Sequence, residues 1–316
     1  MKGLILCAGK GTRLKPYTDT RPKTLLPVAG RPVLDYGIES LRNIGIRTIG
    51  IVINPEQGSI REYVGSGGRY GAKVDYLFQS EPKGVAHAVK QAEDFLAGES
   101  FVLLLGDNLI TEDLSILIES RRSLKGNASV LLRAVPNPSE FGIAEVEGGR
   151  IVRIEEKPKQ PKSNLAVIGA YWFDSHIFEA IASIKPSARG EYEITDAIQW
   201  LLDHDYPVSY SVTDKKYSDV GTPERWLEAN EWMLRETLRE RIVIGSNAKI
   251  DNCTFIGPVV VGNDVTLKNT VIGPHVTMQD GSRAEGVRLE GSIVLDGAEI
   301  VGTGEQPIRN RVIDRN

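Results

Sequence analysis

The chain has 316 residues, 41% of them hydrophobic and 25% charged, a balance that suits a globular protein with one large domain and a smaller one. Thirty-eight Lys and Arg against 42 Asp and Glu leave a net charge of −4, so a broad electropositive face for nucleic acid is not expected, although a local basic pocket stays open. No apolar run has the length to span a bilayer, and two cysteines in unlike contexts, Cys7 and Cys253, argue for small buried hydrophobes in a reducing cytoplasm rather than a disulfide.

The first predicted strand, Leu4–Leu6, runs into LILCAGKGTRLKP, residues 4–16. Gly9 and Gly11 at its carboxyl end allow backbone N–H groups to approach an anion, because no Cβ intervenes. Arg13 and then Lys23 add two cations, a combination that suits a polyphosphate. Leu14 stands where the dinucleotide fingerprint needs its third glycine, and the P-loop pattern is absent. Strands are further expected at Ile49–Ile53, Val74–Phe78 and Phe101–Leu105, with helices after Arg31-Pro32 (Leu34, Ile38 and Leu41 on one stripe) and over about Val85–Leu96. Alternation of this kind, from residue 1 to about 240, predicts an α/β sheet covered on both faces.

In FQSEPKGVAHA, residues 78–88, Gln79 ends a strand and Gly84 opens a helix. An amide pairs an acceptor with a donor, which suits the imide edge of a pyrimidine. In FVLLLGDN, residues 101–108, Asp107 emerges at the carboxyl end of a central strand, where ligands of open α/β sheets sit. A carboxylate there suits Mg2+ completed by substrate phosphates, or serves an Asx-turn. Ala128–Val135, Gly142–Val146, Arg150–Glu155 and Val167–Phe173 are predicted strands whose short links favour antiparallel pairing. Glu156 and Lys157 follow one of them, a carboxylate for sugar hydroxyls beside a point charge for a phosphate. Arg189, in SARGEYEITD, is another planar phosphate donor. Asp219, in KKYSDVGTPERW, either caps a turn or is a second metal carboxylate converging on Asp107. Thr222-Pro-Glu predicts an N-cap, a proline at the first helical position and a helix over about Thr222–Thr237.

After about residue 241 helical periodicity disappears. Ile244, Ile250 and Ile256 are six apart, as are Val261 and Leu267, and Ile272 and Met278, with slips of one between the sets. The pattern resembles the hexapeptide repeat of a left-handed β-helix of three to four coils. The domains expected are therefore 1–240 and 241–316.

Taken in order, GKGTRLKP, RPK, GDN, EEKP, RGEYEITD and DVGT resemble the sugar-1-phosphate nucleotidyltransferases over about residues 1–235, most closely the glucose-1-phosphate thymidylyltransferases, with a tail like that of the longer members. The resemblance implies a Rossmann-like mixed sheet followed by a short left-handed parallel β-helix. It implies Mg2+-dependent transfer of a nucleotidyl group from dTTP to glucose 1-phosphate, the sugar phosphate attacking the α-phosphorus in line and pyrophosphate leaving. Residue by residue, Gly9, Gly11, Thr12 and Arg13 would hold the triphosphate with Lys23, Leu6 would line the nucleotide, and Gln79 and Gly84 would read the base. Asp107 and Asp219 would hold the metal. Glu156 and Val167 would meet the sugar, Asn108 and Gly142 would support it, and Lys157 and Arg189 would grip its phosphate. Phe141 stands where many thymidylyltransferases carry tyrosine, which removes one hydroxyl from the sugar contact. A uridylyltransferase, with the same imide edge to read, is the nearest alternative, and a catalytically silent scaffold working through its β-helix is a more distant one. Small-molecule substrates, no nucleic acid, no membrane, a cytoplasmic location and a homo-oligomer complete the expectation.

Overall fold

The computed structural model describes residues 1–303 and 306–315. Two compact units form, one from Met1–Lys10 with Leu34–Tyr217 and one from Gly11–Val33 with the chain from Ser218 onward.

In the first unit β1 (Lys2–Leu6), β2 (Thr48–Ile53), β3 (Lys73–Phe78) and β4 (Phe101–Leu105) lie parallel in the order β4-β1-β2-β3. Their near-continuous apolar runs follow from burial on both faces. Helix α1 (Val33–Asn43) turns Leu34, Ile38 and Leu41 fully inward, each with 0% exposure, as the i, i+4, i+7 spacing requires. Helix α2 spans Gly58–Val64. The single helix expected over Val85–Leu96 is two, α3 (Val85–Lys90) and α4 (Glu93–Leu96), because the Ala92 amide reaches back three residues to the Val89 carbonyl rather than four.

Beyond α5 (Ser115–Leu124) the sheet becomes mixed. Strand β5 (Ala128–Ala134), the hairpin of β6 (Gly142–Glu147) and β7 (Arg150–Glu156), and the nine-residue β8 (Leu165–Phe173) extend it. Antiparallel pairing was expected here and is found for β6 with β7, and for β8 with β4, β5 and β6. Strand β8 forks. Leu165 and Ala166 pair with β6, then the register shifts between Val167 and Tyr171, and Ala170–Phe173 pair with β4. Helices α6 (His176–Ser183) and α7 (Ile194–Asp203) and strand β9 (Val208–Val212) complete the unit, β9 running parallel to β5.

The second unit is built on α8 (Pro223–Leu238), whose N-cap Thr222 accepts from the Arg225 amide at 3.3 Å. Trp226, fully buried, donates its indole N–H to the Pro27 carbonyl at 2.7 Å and meets the Tyr17 ring edge-on at 5.6 Å. Asn230 Oδ1 accepts from the Ala29 amide and from the Thr277 hydroxyl. Arg21 pairs with Asp296 and Asp314. The segment carrying Arg13 and Lys23 thus belongs to the packing of this unit, although it follows β1 in sequence.

From Ile242 onward short strands stack in three parallel sheets of five, four and four strands among the described residues, the arrangement of a left-handed β-helix. Ile244 lies over Val261 and Val261 over Met278; Ile250 lies over Leu267 and Leu267 over Ala284. The stacking interval is 17 residues at these positions, which is two sixes and a five. That is the physical reason for the slips of one in the sequence repeat. Inner coils bury their corners (Val261 1%, Leu267 1%, Ile272 0%), whereas the first coil has no coil on its outer side and leaves Ile244, Ile250 and Ile256 at 40–44%. Cys253 lies on that first coil and is only half-buried, against expectation; Cys7 is buried, and neither forms a disulfide. Among the described residues no helix is long and apolar enough to cross a membrane.

Candidate active site

The first unit lines up several expected residues along the carboxyl edge of its parallel strands. Leu6, 9% exposed, ends β1, and its carbonyl accepts from the Gly106 amide at 2.9 Å, so the turn holding Asp107 starts beside it. Gly9 follows on the same edge, its carbonyl 3.4 Å from the Gln57 side-chain amide. Gln79 directly follows β3, held through its backbone amide by the Ile53 carbonyl, and is 6% exposed. Its Nε2 donates to the Gly84 carbonyl at 3.1 Å and lies 2.9 Å from His87 Nδ1. Gly84 has φ +100, and a Cβ there would stand 2.5 Å from the Tyr192 carbonyl, so both its conformation and its neighbour demand glycine.

A second group gathers where β8 forks. Asn108 Nδ2 donates to the Ile168 carbonyl at 3.0 Å, within the stretch where the register of β8 shifts. Gly142 packs so closely that a Cβ would meet Thr195 Cγ2 at 2.5 Å and Glu156 Oε2 at 3.1 Å. Glu156 ends β7 and accepts from the Thr195 hydroxyl at 3.2 Å. Burial first, then the charge of Glu193, push its carboxyl above the usual range, against the pull of Lys157 and Arg189. Lys157 Nζ is 3.9 Å from Glu156 Oε1, and its backbone amide donates to the Phe141 carbonyl at 3.0 Å. Val167, 7% exposed, lies on β8.

Arg189 is held more firmly than its place in a polar loop suggests. Its Nη2 donates to both Glu193 oxygens at 2.9 and 3.0 Å, its Nε to Oε1 at 3.2 Å, and Glu156 lies 3.5 Å away. Nη1 donates to no described residue, so two N–H groups are available to an incoming anion. The structure therefore brings together Asn108, Gly142, Glu156, Lys157, Val167 and Arg189 within one unit. Sequence reasoning missed Glu193, 4% exposed, and Thr195, though the Arg189/Glu193 spacing at a helix start was a usable signal. It also missed His87 behind Gln79.

The second unit carries Gly11, Thr12, Arg13, Lys23 and Asp219. Gly11, at φ +65, starts a short 3-10 turn Thr12–Leu14, and a Cβ there would press on Lys23 Cβ and Thr18 Cγ2 at 3.0 Å. The glycine therefore brings Lys23 against the loop. The Gly221 position lies 3.1 Å from Arg13 Nη2 and 3.5 Å from Asp219 Oδ2 when a Cβ is imagined on it. Arg225, in the first turn of α8, donates to both Asp219 oxygens at 3.0 Å, a partner the sequence reading did not name. No cluster of three or more His, Cys, Asp or Glu able to hold a metal occurs among the described residues. Hard carboxylates that do not cluster fit an ion such as Mg2+, whose other ligands are water and phosphate oxygens; they do not fit a caged zinc.

The family described as nucleotidyl transferase matches residues 2–236. A glucose-1-phosphate thymidylyltransferase of Streptomyces griseus is 40% identical over 96% of this chain and 89% of its own length. One from Streptomyces antibioticus is 38% identical over 100% of this chain and 92% of its own. A solved Bacillus anthracis structure assigned to the same activity, in complex with sucrose, superposes with a TM-score of 0.69 at 38% identity, covering 73% of this chain and 94% of that one. A UDP-glucose pyrophosphorylase complexed with UDP-glucose gives 0.68 at 28% identity, covering 74% and 98%. With a family match from residue 2 to 236 and relatives aligned over nearly its whole length, this chain belongs to the nucleotidyltransferase family.

Proposed function

We propose that this enzyme transfers a thymidylyl group from dTTP to glucose 1-phosphate, yielding dTDP-glucose and pyrophosphate. The observation that carries the reading is the cluster of Glu156, Lys157 and Arg189, a carboxylate for sugar hydroxyls beside two cations for a phosphate monoester. The names of the Streptomyces relatives support the donor and the acceptor.

The chemistry follows from charge. A sugar 1-phosphate is already an anionic nucleophile and needs no strong base. One of its phosphate oxygens forms a bond to the α-phosphorus as the bond to the β-phosphate oxygen breaks and pyrophosphate departs. Arg13 and Lys23 are assigned to the triphosphate, with Gly9, Gly11 and Thr12 giving backbone donors. Leu6 is assigned to the nucleotide pocket. Lys157 and Arg189 are assigned to the acceptor phosphate, and Asn108, Gly142, Glu156 and Val167 to the sugar, with Phe141 supplying only its backbone and ring. Members of this family generally use a divalent metal; we assign Mg2+ to Asp107 and Asp219, where it would offset negative charge on the phosphates. Gln79 Nε2 is occupied by Gly84 and His87, which leaves Oε1 to accept from a pyrimidine N3–H.

Residues 1–240 are assigned to catalysis and 241–316 to assembly of a cytoplasmic homo-oligomer. Because thymine and uracil share the N3–H, a uridylyltransferase is the second reading, favoured by the likeness to the UDP-glucose pyrophosphorylase. The test is pyrophosphate release with Mg2+, glucose 1-phosphate and each triphosphate in turn. Release with dTTP above all others supports the proposal, a UTP preference replaces it with the second reading, and silence with every pyrimidine refutes both.

A further inference from the structure

We infer that His87 is a positioning residue that fixes the amide of Gln79 for base recognition and makes pyrimidine binding sensitive to pH; this rests on Gln79 being the base reader. Gln79 Nε2 has two acceptors, the Gly84 carbonyl at 3.1 Å and His87 Nδ1 at 2.9 Å. The carbonyl cannot donate, so it sets the amide with nitrogen toward Gly84. The amide nitrogen of Gln91 also approaches the ring, 3.4 Å from Nε2, but a neutral imidazole accepts at one nitrogen only, and the 2.9 Å contact from Gln79 is the shorter, which assigns the lone pair to Nδ1 and the hydrogen to Nε2. This arrangement leaves Oε1 as acceptor, complementary to the N3–H of thymine or uracil and not to N3 of cytosine.

Protonation reverses the logic. An Nδ1–H faces the Nε2–H groups of Gln79, donor against donor. Turning the amide over satisfies the imidazolium but puts Oε1 against the Gly84 carbonyl and offers N–H groups to a base that itself donates. Binding of a pyrimidine imide and protonation of His87 therefore oppose each other. The groups around the ring are Lys83 and Glu81 on its own loop, Gln91 one turn on, and Tyr192, which stacks on it at 6.4 Å from the segment before α7. Burial first and Lys83 second lower its pKa below the usual histidine value, with Glu81 pulling the other way. Neutral His87 is thus the state at neutral pH, and the clamp is lost as pH falls through a value lower than the usual one of about 6.5.

The test is KM for dTTP at about pH 7.5 and about pH 5.5, on either side of the usual histidine value, at saturating glucose 1-phosphate, for the wild type, His87→Asn and Gln79→Ala. Asparagine places an oxygen near the Nδ1 position and does not titrate. The expected result is a KM rise on acidification that is larger in the wild type than in His87→Asn, approaching about fivefold, the scale of one buried hydrogen bond lost, as His87 becomes fully protonated. Comparing variants at matched pH removes the titration of the substrate phosphates. If His87→Asn follows the wild-type pH dependence while Gln79→Ala raises KM, the clamp is refuted and base reading by Gln79 stands. If Gln79→Ala leaves KM for dTTP unchanged, the base-reading assignment itself falls, and the clamp with it.

Discussion

Removing Arg189 and removing the charge of Glu193 should have unequal and non-additive costs. Glu193 is 4% exposed, and apart from Arg189 its side chain is bonded by the Ser187 hydroxyl at 2.8 Å. Arg189 is 39% exposed on its side chain and can turn to water. Breaking a buried ion pair by deleting one member costs about 3–5 kcal/mol, and an exposed pair contributes about 0–1. With one buried and one half-exposed end, Arg189→Ala should cost about 2–3 kcal/mol and Glu193→Gln about 1. The double variant should cost at least about 1 kcal/mol less than their sum, since the stranded carboxylate is then gone. The assay is urea unfolding of the four proteins, read at unchanged m. Additivity within about 0.3–0.5 kcal/mol, or a larger loss in Glu193→Gln than in Arg189→Ala, would refute the reasoning.

Other predictions concern the same site and the β-helix. Glu156 has a folded-state pKa raised chiefly by burial, so its ionised form opposes folding once pH exceeds the unfolded glutamate value. Glu156→Gln should therefore raise the melting temperature near neutral pH and lose that advantage on acidification, while weakening sugar-phosphate binding; a lower melting temperature at neutral pH contradicts it. Lys157→Ala should raise KM for glucose 1-phosphate more than KM for dTTP, and equal effects would remove it from the acceptor side. Asp107→Asn should fold normally by circular dichroism yet lose most turnover with Mg2+; near-normal activity would exclude Asp107 from the chemistry. In one column of the β-helix, Leu267→Ala (1% exposed) should cost about 2–5 kcal/mol and Ile250→Ala (40% exposed) well under half as much, by thermal unfolding. Equal losses would contradict the open first coil.

Much of this was legible in the sequence because hydrophobic periodicity survives without context. The parallel strands, the stripe of Leu34, Ile38 and Leu41, and the Thr222-Pro start of α8 each rest on local chemistry, and each is found. The six-residue steps announced a β-helix, but only the register shows that its coil is 17 residues at first and so explains the slips. What stayed hidden depends on pairing across distance. Nothing local to Leu165–Phe173 shows that β8 changes partners midway, nor that the Asn108 side chain bonds its backbone there. The loop after β1 reads as a continuation of the sheet, yet from Gly11 it packs with α8 and the β-helix through Trp226, Asn230 and Arg21. Charge partners were hidden for the same reason. Glu193 on Arg189, Arg225 on Asp219 and His87 on Gln79 become partners only once the backbone is folded.

The central claim is tested most directly by the fate of label from dTTP carrying radioactive phosphorus at the α position, incubated with the enzyme, Mg2+ and glucose 1-phosphate. The account predicts that the label moves into a sugar nucleotide in step with unlabelled pyrophosphate, and only when the sugar phosphate is present. Label recovered as free dTMP or dTDP, or the same release without the sugar phosphate, would contradict it.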